Sequence, residues 1–156
     1  MQDLNIKIGT FDDYFPICEM AKHFGKAHYE KWFPIEDYKI ADNVTETLSA
    51  PPDKRIILLA TNEGNPVGML VARCDDHPYS TVKVASEVMW WMEPEFRKSR
   101  LALQLPSAFE YWAKNIAKAD LMMLSTVDRE SSEKVEKFYK RKGYSLVENG
   151  FIKKVI

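Results

Sequence analysis

Cysteine is scarce in this chain. It has two in 156 residues, Cys18 and Cys74, and neither sits in a Cys-x-x-Cys or Cys/His spacing. That excludes a disulfide scaffold and a cysteine-built metal site, and both read as reduced core thiols. Long apolar runs are missing too. No stretch approaches 18 apolar residues, so no membrane span is expected. The first twenty residues lack a basic start followed by an apolar run, so no signal peptide is expected and the compartment reads as the cytoplasm. A charge excess is also absent: 22 Lys and Arg stand against 23 Asp and Glu, a net charge of −1. A general nucleic-acid binder usually carries a basic excess, so no nucleic-acid partner is expected. His23, His28 and His77 form no His-x-x-x-His or His/Asp cluster, and no metal site is expected from them. There is no internal repeat and no low-complexity linker.

What is present suits one compact domain over residues 1–156. Hydrophobic residues make up 46% and charged residues 29%, an ordinary balance with enough apolar surface for a core. Residues 4–8 alternate apolar and polar, which predicts a strand. Thr10 or Asp12 is placed to cap a helix running to about Gly25, with Ile17, Met20, Ala21 and Phe24 on one face. A second helix is predicted over 37–48, ending before Pro51-Pro52. Residues 55–61 (RIILLAT) and 66–74 (PVGMLVARC) predict a hairpin about Asn62-Glu63-Gly64-Asn65. Residues 83–92 (KVASEVMWWM) predict a longer strand closed by Pro94. A helix follows from about 98 to 117, kinked or restarted at Pro106 because proline removes a backbone bond. Residues 121–127 (LMMLSTV) predict a buried strand and 132–142 a helix, with Gly143 at its C-terminus. Residues 144–147 and 150–155 predict a final hairpin around an Asn-Gly turn. The hairpins give antiparallel pairs and the strand–helix–strand unit from 84 to 127 gives a parallel crossover. The fold class is α+β, a mixed sheet.

The most informative stretch is Met92-Glu93-Pro94-Glu95-Phe96-Arg97-Lys98-Ser99-Arg100-Leu101-Ala102. A strand ends, a short loop follows and a helix starts. A helix start offers unpaired N–H groups and a positive dipole end, and three of the four residues from Arg97 to Arg100 are cationic. Physics alone leaves two readings open, an anion site or a solvated basic loop.

Trp90-x-Met92-x-Pro94 followed by Arg97-Lys98-Ser99-Arg100-Leu101-Ala102 resembles the signature of the GNAT N-acetyltransferases, which carry Arg/Gln-x-x-Gly-x-Gly/Ala here. Ser132-x-x-Val135-x-x-Phe138-Tyr139-x-x-x-Gly143-Tyr144 resembles the family's Asn-x-x-Ala-x-x-apolar-Tyr-x-x-x-Gly-aromatic segment. The element order matches over the whole chain. The resemblance implies the acyl-CoA N-acyltransferase fold, a central mixed and mostly antiparallel sheet flanked by helices. It implies acetyl-CoA as cosubstrate and transfer of its acetyl group to a primary amine by direct attack. Arg97 would open the pyrophosphate loop, with Lys98, Ser99, Arg100, Leu101 and Ala102 completing it. The backbone at Met92 would pair with the pantetheine arm like an added strand, and Ser132 would bond the pantetheine or cap its helix. Tyr139 would protonate the departing thiolate; without the family it reads as a core tyrosine.

The sequence departs from the family at Arg100, where a glycine usually lets the backbone approach the phosphate, and at Ser132, where the family has Asn. Arg-Gly-Ser-Arg-type loops are similar and occur among GNAT-like sequences, some of them from phages. The departures keep a second reading open, a catalytically degenerate GNAT-fold protein that binds CoA or serves as a structural or interaction module. An unrelated α+β ligand-binding module is a third.

The attacking amine must lose a proton. Glu87, on the strand leading into the loop, is the candidate base, with a water relay as the alternative and Glu93 a weaker choice. Plain strand alternation puts Glu87 on one face with Met89 and Trp91, where aromatic bulk would raise its pKa. The three histidines read as surface or packing residues, with His77 near enough in sequence to approach the acceptor. By position only, His28-Tyr29 and Trp32-Phe33 would wall an acceptor pocket. The acceptor itself, a small molecule or a protein amine, carries no readable motif. A homodimer follows from the resemblance alone.

Overall fold

A computed structural model describes residues 4–127 and 132–155. Five strands form one sheet in the order β1-β2-β3-β4-β5: β1 (Leu4–Ile8), β2 (Arg55–Asn62), β3 (Asn65–Asp76), β4 (Lys83–Met92) and β5 (Leu121–Met123). The first four pair antiparallel and β5 lies parallel to β4. The β2–β3 turn is built on Glu63 (φ 50°) and Gly64 (φ 81°), the pair of positive angles a two-residue hairpin needs.

Helices α1 (Tyr14–His28) and α2 (Asp37–Ser49) cover one face of the sheet and α3 (Arg100–Asn115) packs on the other. The α1/α2 face buries Ile17, Met20, Phe24, Val44, Ile57, Leu59, Met69 and Trp91. The α3 face buries Leu70, Ala85, Leu101, Leu105, Phe109 and Trp112. Fully burying side chains of this size contributes about 1.5–3 kcal/mol each. Trp112 Nε1 donates to the Pro52 carbonyl at 2.7 Å, so its polar end is satisfied. α4 (Ser132–Arg141) joins α3: Lys142 Nζ lies 3.2 Å from Glu110 Oε2, and Tyr144 Oη donates to Glu110 Oε1 at 3.1 Å. Gly143 (φ 95°) follows α4. Both cysteines are free. Among the described residues no helix is long and apolar enough to cross a membrane.

Three expectations are corrected. α3 is a single helix through Pro106, so the restart offered beside a kink does not occur; Pro106 is itself fully buried, and packing holds the turn where the hydrogen bond is missing. The strand expected over 121–127 is three residues long and exposed rather than buried; it pairs with β4 only from Val84 to Ser86. The final hairpin does not form: residues 144–155 are not strand, and Leu146, Val147, Phe151 and Ile152 are exposed. A strand needs a partner edge as well as alternation, and β5 offers only three residues of it.

Candidate active site

The sheet opens where β4 and β5 part. Among the described residues no strand lies beside β4 on its β5 side beyond Ser86, so residues 87–91 present an open backbone edge. An extended polar chain can add itself to such an edge by main-chain hydrogen bonds.

A bulge sits at the mouth of this opening. Met89 pairs with Val71 and Glu87 with Ala72, leaving Val88 as the extra residue. A bulge re-aims the side chains that follow it. Met89 and Trp91 face α1 and α2, whereas Glu87 shares the face of its cross-strand partner Ala72, the α3 side. The expected grouping of Glu87 with Met89 and Trp91 is therefore wrong, and the bulge is the reason.

On that side Glu87 is tied across the opening. Its Oε2 accepts from the Ser125 hydroxyl at 2.8 Å and from the Ser125 amide at 3.2 Å. Tyr139 Oη donates to the Ser125 carbonyl at 2.9 Å. The two residues the sequence singled out for acid and base work thus meet through a third that it did not. Ser125 was legible only as the polar break in LMMLSTV. Burial pushes the Glu87 carboxyl above its usual range, with the Ser125 bonds pulling the other way. Burial, and after it the negative charge of Glu87, drives the Tyr139 phenol up, so it stays protonated well into alkali. Tyr139 is 7% exposed.

At the other end of the open edge, α3 begins. Ser99 is its N-cap but makes no side-chain cap, because its hydroxyl donates to the Phe96 carbonyl. There is no acid in the first turn of α3. Lys98 and Arg100 are exposed, and neither enters an ion pair among the described residues. A helix start without a cap, flanked by free cations, suits a phosphate anion. Arg100 is the first residue of α3 and has no left-handed backbone, so arginine costs nothing here where the family has glycine. Leu101 and Ala102 are buried, so they could serve a ligand only through their backbone. The Ser99 and Ala102 amides already bond the Phe96 and Ser99 carbonyls.

Arg97 is turned back. Its Nε donates to the Met92 carbonyl at 3.0 Å and its guanidinium lies 4.7 Å over the Trp91 ring. Trp91 Nε1 is buried with no acceptor among the described residues. Close by, His23 Nδ1 and Glu93 Oε1 stand 2.8 Å apart, so Glu93 faces α1 and not the Ser125 cluster. Ser132 opens α4 and is half-buried. His77 stays within the β3–β4 hairpin, its ring accepting from the Tyr79 amide at 3.2 Å, at the far end of β4 from Met92. Among the described residues His, Cys, Asp and Glu nowhere gather in threes able to hold a metal ion.

A cavity of about 630 Å³ lies between α1, α2 and the sheet and reaches Val88 and Met89. Of the four aromatic-loop residues suggested for an acceptor wall, Tyr29 and Phe33 line it and His28 and Trp32 do not.

A mixed sheet that splays beside an uncapped, cation-flanked helix start is the architecture of an acyl-CoA N-acyltransferase. The chain belongs to the acetyltransferase (GNAT) family, whose model matches residues 17–144. Solved structures agree on the fold. An aminoglycoside N-acetyltransferase, AAC(6')-Iy, in complex with the bisubstrate analogue CoA-S-monomethyl-acetylneamine, superposes with TM-score 0.75 at 19% identity, over 98% of each chain. A transcriptional regulator from Bacillus halodurans gives 0.75 at 20% identity, over 97% of this chain and 99% of its own. An aminoglycoside acetyltransferase from an uncultured soil metagenomic sample, in complex with sisomicin, gives 0.71 at 14% identity, over 98% and 96%. Comparison of the sequence with curated proteins finds no match.

Proposed function

We propose that this acetyltransferase moves the acetyl group of acetyl-CoA directly onto a primary amine, with Glu87 as base and Tyr139 as acid. The observation that carries the reading is the Glu87–Ser125–Tyr139 cluster at the apex of the open β4 edge. Pyrophosphate would sit on the start of α3 against Lys98 and Arg100, and the pantetheine arm would extend along residues 87–92. That brings the thioester to the bulge.

The amine arrives as an ammonium ion and must lose a proton before its lone pair can attack. The raised Glu87 carboxylate takes it, directly or by way of a water. Nitrogen bonds the acetyl carbon and the carbon–sulfur bond breaks, leaving a thiolate and an amide nitrogen that carries one proton too many. Tyr139 gives its proton to the sulfur, its phenolate is restored by the second nitrogen proton, and Glu87 releases the first to solvent. Burial and the Glu87 charge hold this phenol protonated, so its proton is there to give at neutral pH. Two free cysteines suit a reducing compartment, and with it the cytoplasm. The exposed apolar side chains of β5 and of residues 146–152 favour a homodimer, since such patches usually meet a partner.

The test is direct. Isothermal titration should give acetyl-CoA binding, and thiol release should follow on adding a primary amine. Binding without thiol release from any amine would favour a degenerate CoA-binding protein instead.

A further inference from the structure

We infer that Glu110, on α3, is a positioning residue that places the Tyr139 phenol for its proton transfer; this deepens the reading above and rests on it. Tyr139 is the one side chain that α4 buries among its described residues. A helix this short and this thinly packed takes its place from whatever grips its ends. The phenol itself is held at its tip by the Ser125 carbonyl, 2.9 Å away. The rest of the grip comes from the turn that ends α4.

Gly143, at φ 95°, reverses the chain there. The Tyr144 amide then donates to the Tyr139 carbonyl at 3.0 Å, and the Gly143 amide to the Lys140 carbonyl at 3.1 Å. These are the paired bonds of a Schellman turn. The Tyr144 ring also lies beside the Tyr139 ring, with centroids 5.8 Å apart. Tyr144 thus holds Tyr139 by backbone and by ring, and Glu110 holds Tyr144. Glu110 Oε1 accepts from the Tyr144 hydroxyl at 3.1 Å, and its Oε2 lies 3.2 Å from Lys142 Nζ. Lys142 in turn stands 5.6 Å over the Phe138 ring. One carboxylate therefore spends both oxygens on the two residues that flank Gly143. Burial, and after it the Glu110 charge, pushes the Tyr144 phenol up, so it stays the donor in that bond.

Anchoring the acid on α3 has a chemical consequence. Arg100 opens α3 at the proposed pyrophosphate seat, and Glu110 lies about 15 Å further along the same helix, at about 1.5 Å per residue. The sulfur and the acid that must meet it are then both measured from one rigid element. A reacting group misplaced by about 1 Å can lose on the order of a hundredfold in rate.

The experiment follows thiol release from acetyl-CoA with a primary amine. Glu110→Ala should lower kcat roughly ten- to a hundredfold and leave KM for acetyl-CoA near native. Glu110→Gln, which keeps an acceptor oxygen for the Tyr144 hydroxyl, should restore most of kcat. In a Tyr139→Phe chain, adding Glu110→Ala should cost no further turnover, because both changes act through one group. With Tyr139→Phe impaired, a native kcat in Glu110→Ala, or the same loss in both backgrounds, overturns the inference and leaves Tyr139 as the acid. Placement is also read without turnover. In a chain labelled with carbon-13 at tyrosine Cζ, the Tyr139 signal is assigned by its loss in Tyr139→Phe. It should move in Glu110→Ala and hold in Glu110→Gln; a signal that stays put in Glu110→Ala overturns the inference. A signal that moves while Tyr139→Phe turns over at the native rate upholds the placement and defeats Tyr139 as the acid.

Discussion

One residue holds both Tyr139 and Glu87: Ser125 gives its amide and hydroxyl to the Glu87 carboxylate and takes the Tyr139 phenol on its carbonyl. α4 and β4 are thereby latched across the gap where β4 and β5 separate. The proposed acid and base lie on two elements, and Ser125 spans the gap between them.

Tyr139→Phe keeps the ring in its buried site and deletes the proton. Turnover should fall on the order of 10²- to 10⁴-fold, the usual worth of a positioned acid. Affinity for CoA should change little, because the phenol bonds Ser125. Loss of that one bond should destabilise the chain by about 0.5–1.5 kcal/mol. Rapid-quench turnover and denaturant melts separate the two effects.

Glu87 carries a pH signature of definite sign. Its carboxyl is held above the ordinary 4.5, so the folded chain keeps this proton where the unfolded chain has lost it. The contribution to stability is full below the unfolded value and is lost as pH rises through the folded one. Glu87→Gln removes that loss. Its Tm should exceed the native one at about pH 7 and converge with it below about pH 4. Activity should move the other way. Turnover needs the carboxylate, so the acid limb of the native profile should lie above the usual carboxylate range and disappear in Glu87→Gln. A native acid limb at the ordinary value would argue against Glu87 as base.

Much of this was legible in the sequence, and the gaps have physical causes. β4 was read at its observed bounds because KVASEVMWWM is apolar and bracketed by turn residues. The extents of α3 and α4 were read to within about two residues, because a helical pattern is local. The face of Glu87 was missed because a bulge depends on how β4 pairs with β3, and nothing in residues 87–89 announces it. Ser125 was missed for a similar reason: its role comes from the distance between two elements. The final hairpin was over-read because alternation predicts a strand but cannot supply an edge for it. Arg97 was read as a phosphate ligand from its place in the motif. Its turn back onto Met92 and Trp91 depends on the three-dimensional shape of the loop.

The loop cations should divide into two kinds. Lys98 and Arg100 are exposed and outside any described ion pair. Arg100→Ala should therefore weaken acetyl-CoA binding roughly tenfold with little change in melting. Arg97→Ala removes a cation from the Trp91 face and a donor from the Met92 carbonyl. It should cost about 1 kcal/mol of stability as well as any loss of affinity. Binding by the native chain should weaken as salt rises, because exposed charges are screened. Titrations at two ionic strengths beside thermal melts would check all three.

Gly68 tests whether the open edge of β4 is what holds the cosubstrate. Gly68 pairs with Met92, and a Cβ built there would lie 2.1 Å from Met92 Sδ and 3.0 Å from the Trp91 carbonyl oxygen. Met92 is buried, so its side chain has little room to withdraw, and the Trp91 oxygen is backbone. Gly68→Ala then forces the Met92 side chain into another rotamer and asks the β4 backbone at Trp91 to give by a few tenths of an ångström. Overpacking of this kind costs about 1–3 kcal/mol. The same shift displaces the backbone proposed to pair with the pantetheine arm. The variant should lose affinity for acetyl-CoA even under conditions where circular dichroism shows it folded. Unchanged acetyl-CoA affinity would remove the β4 edge from the binding site.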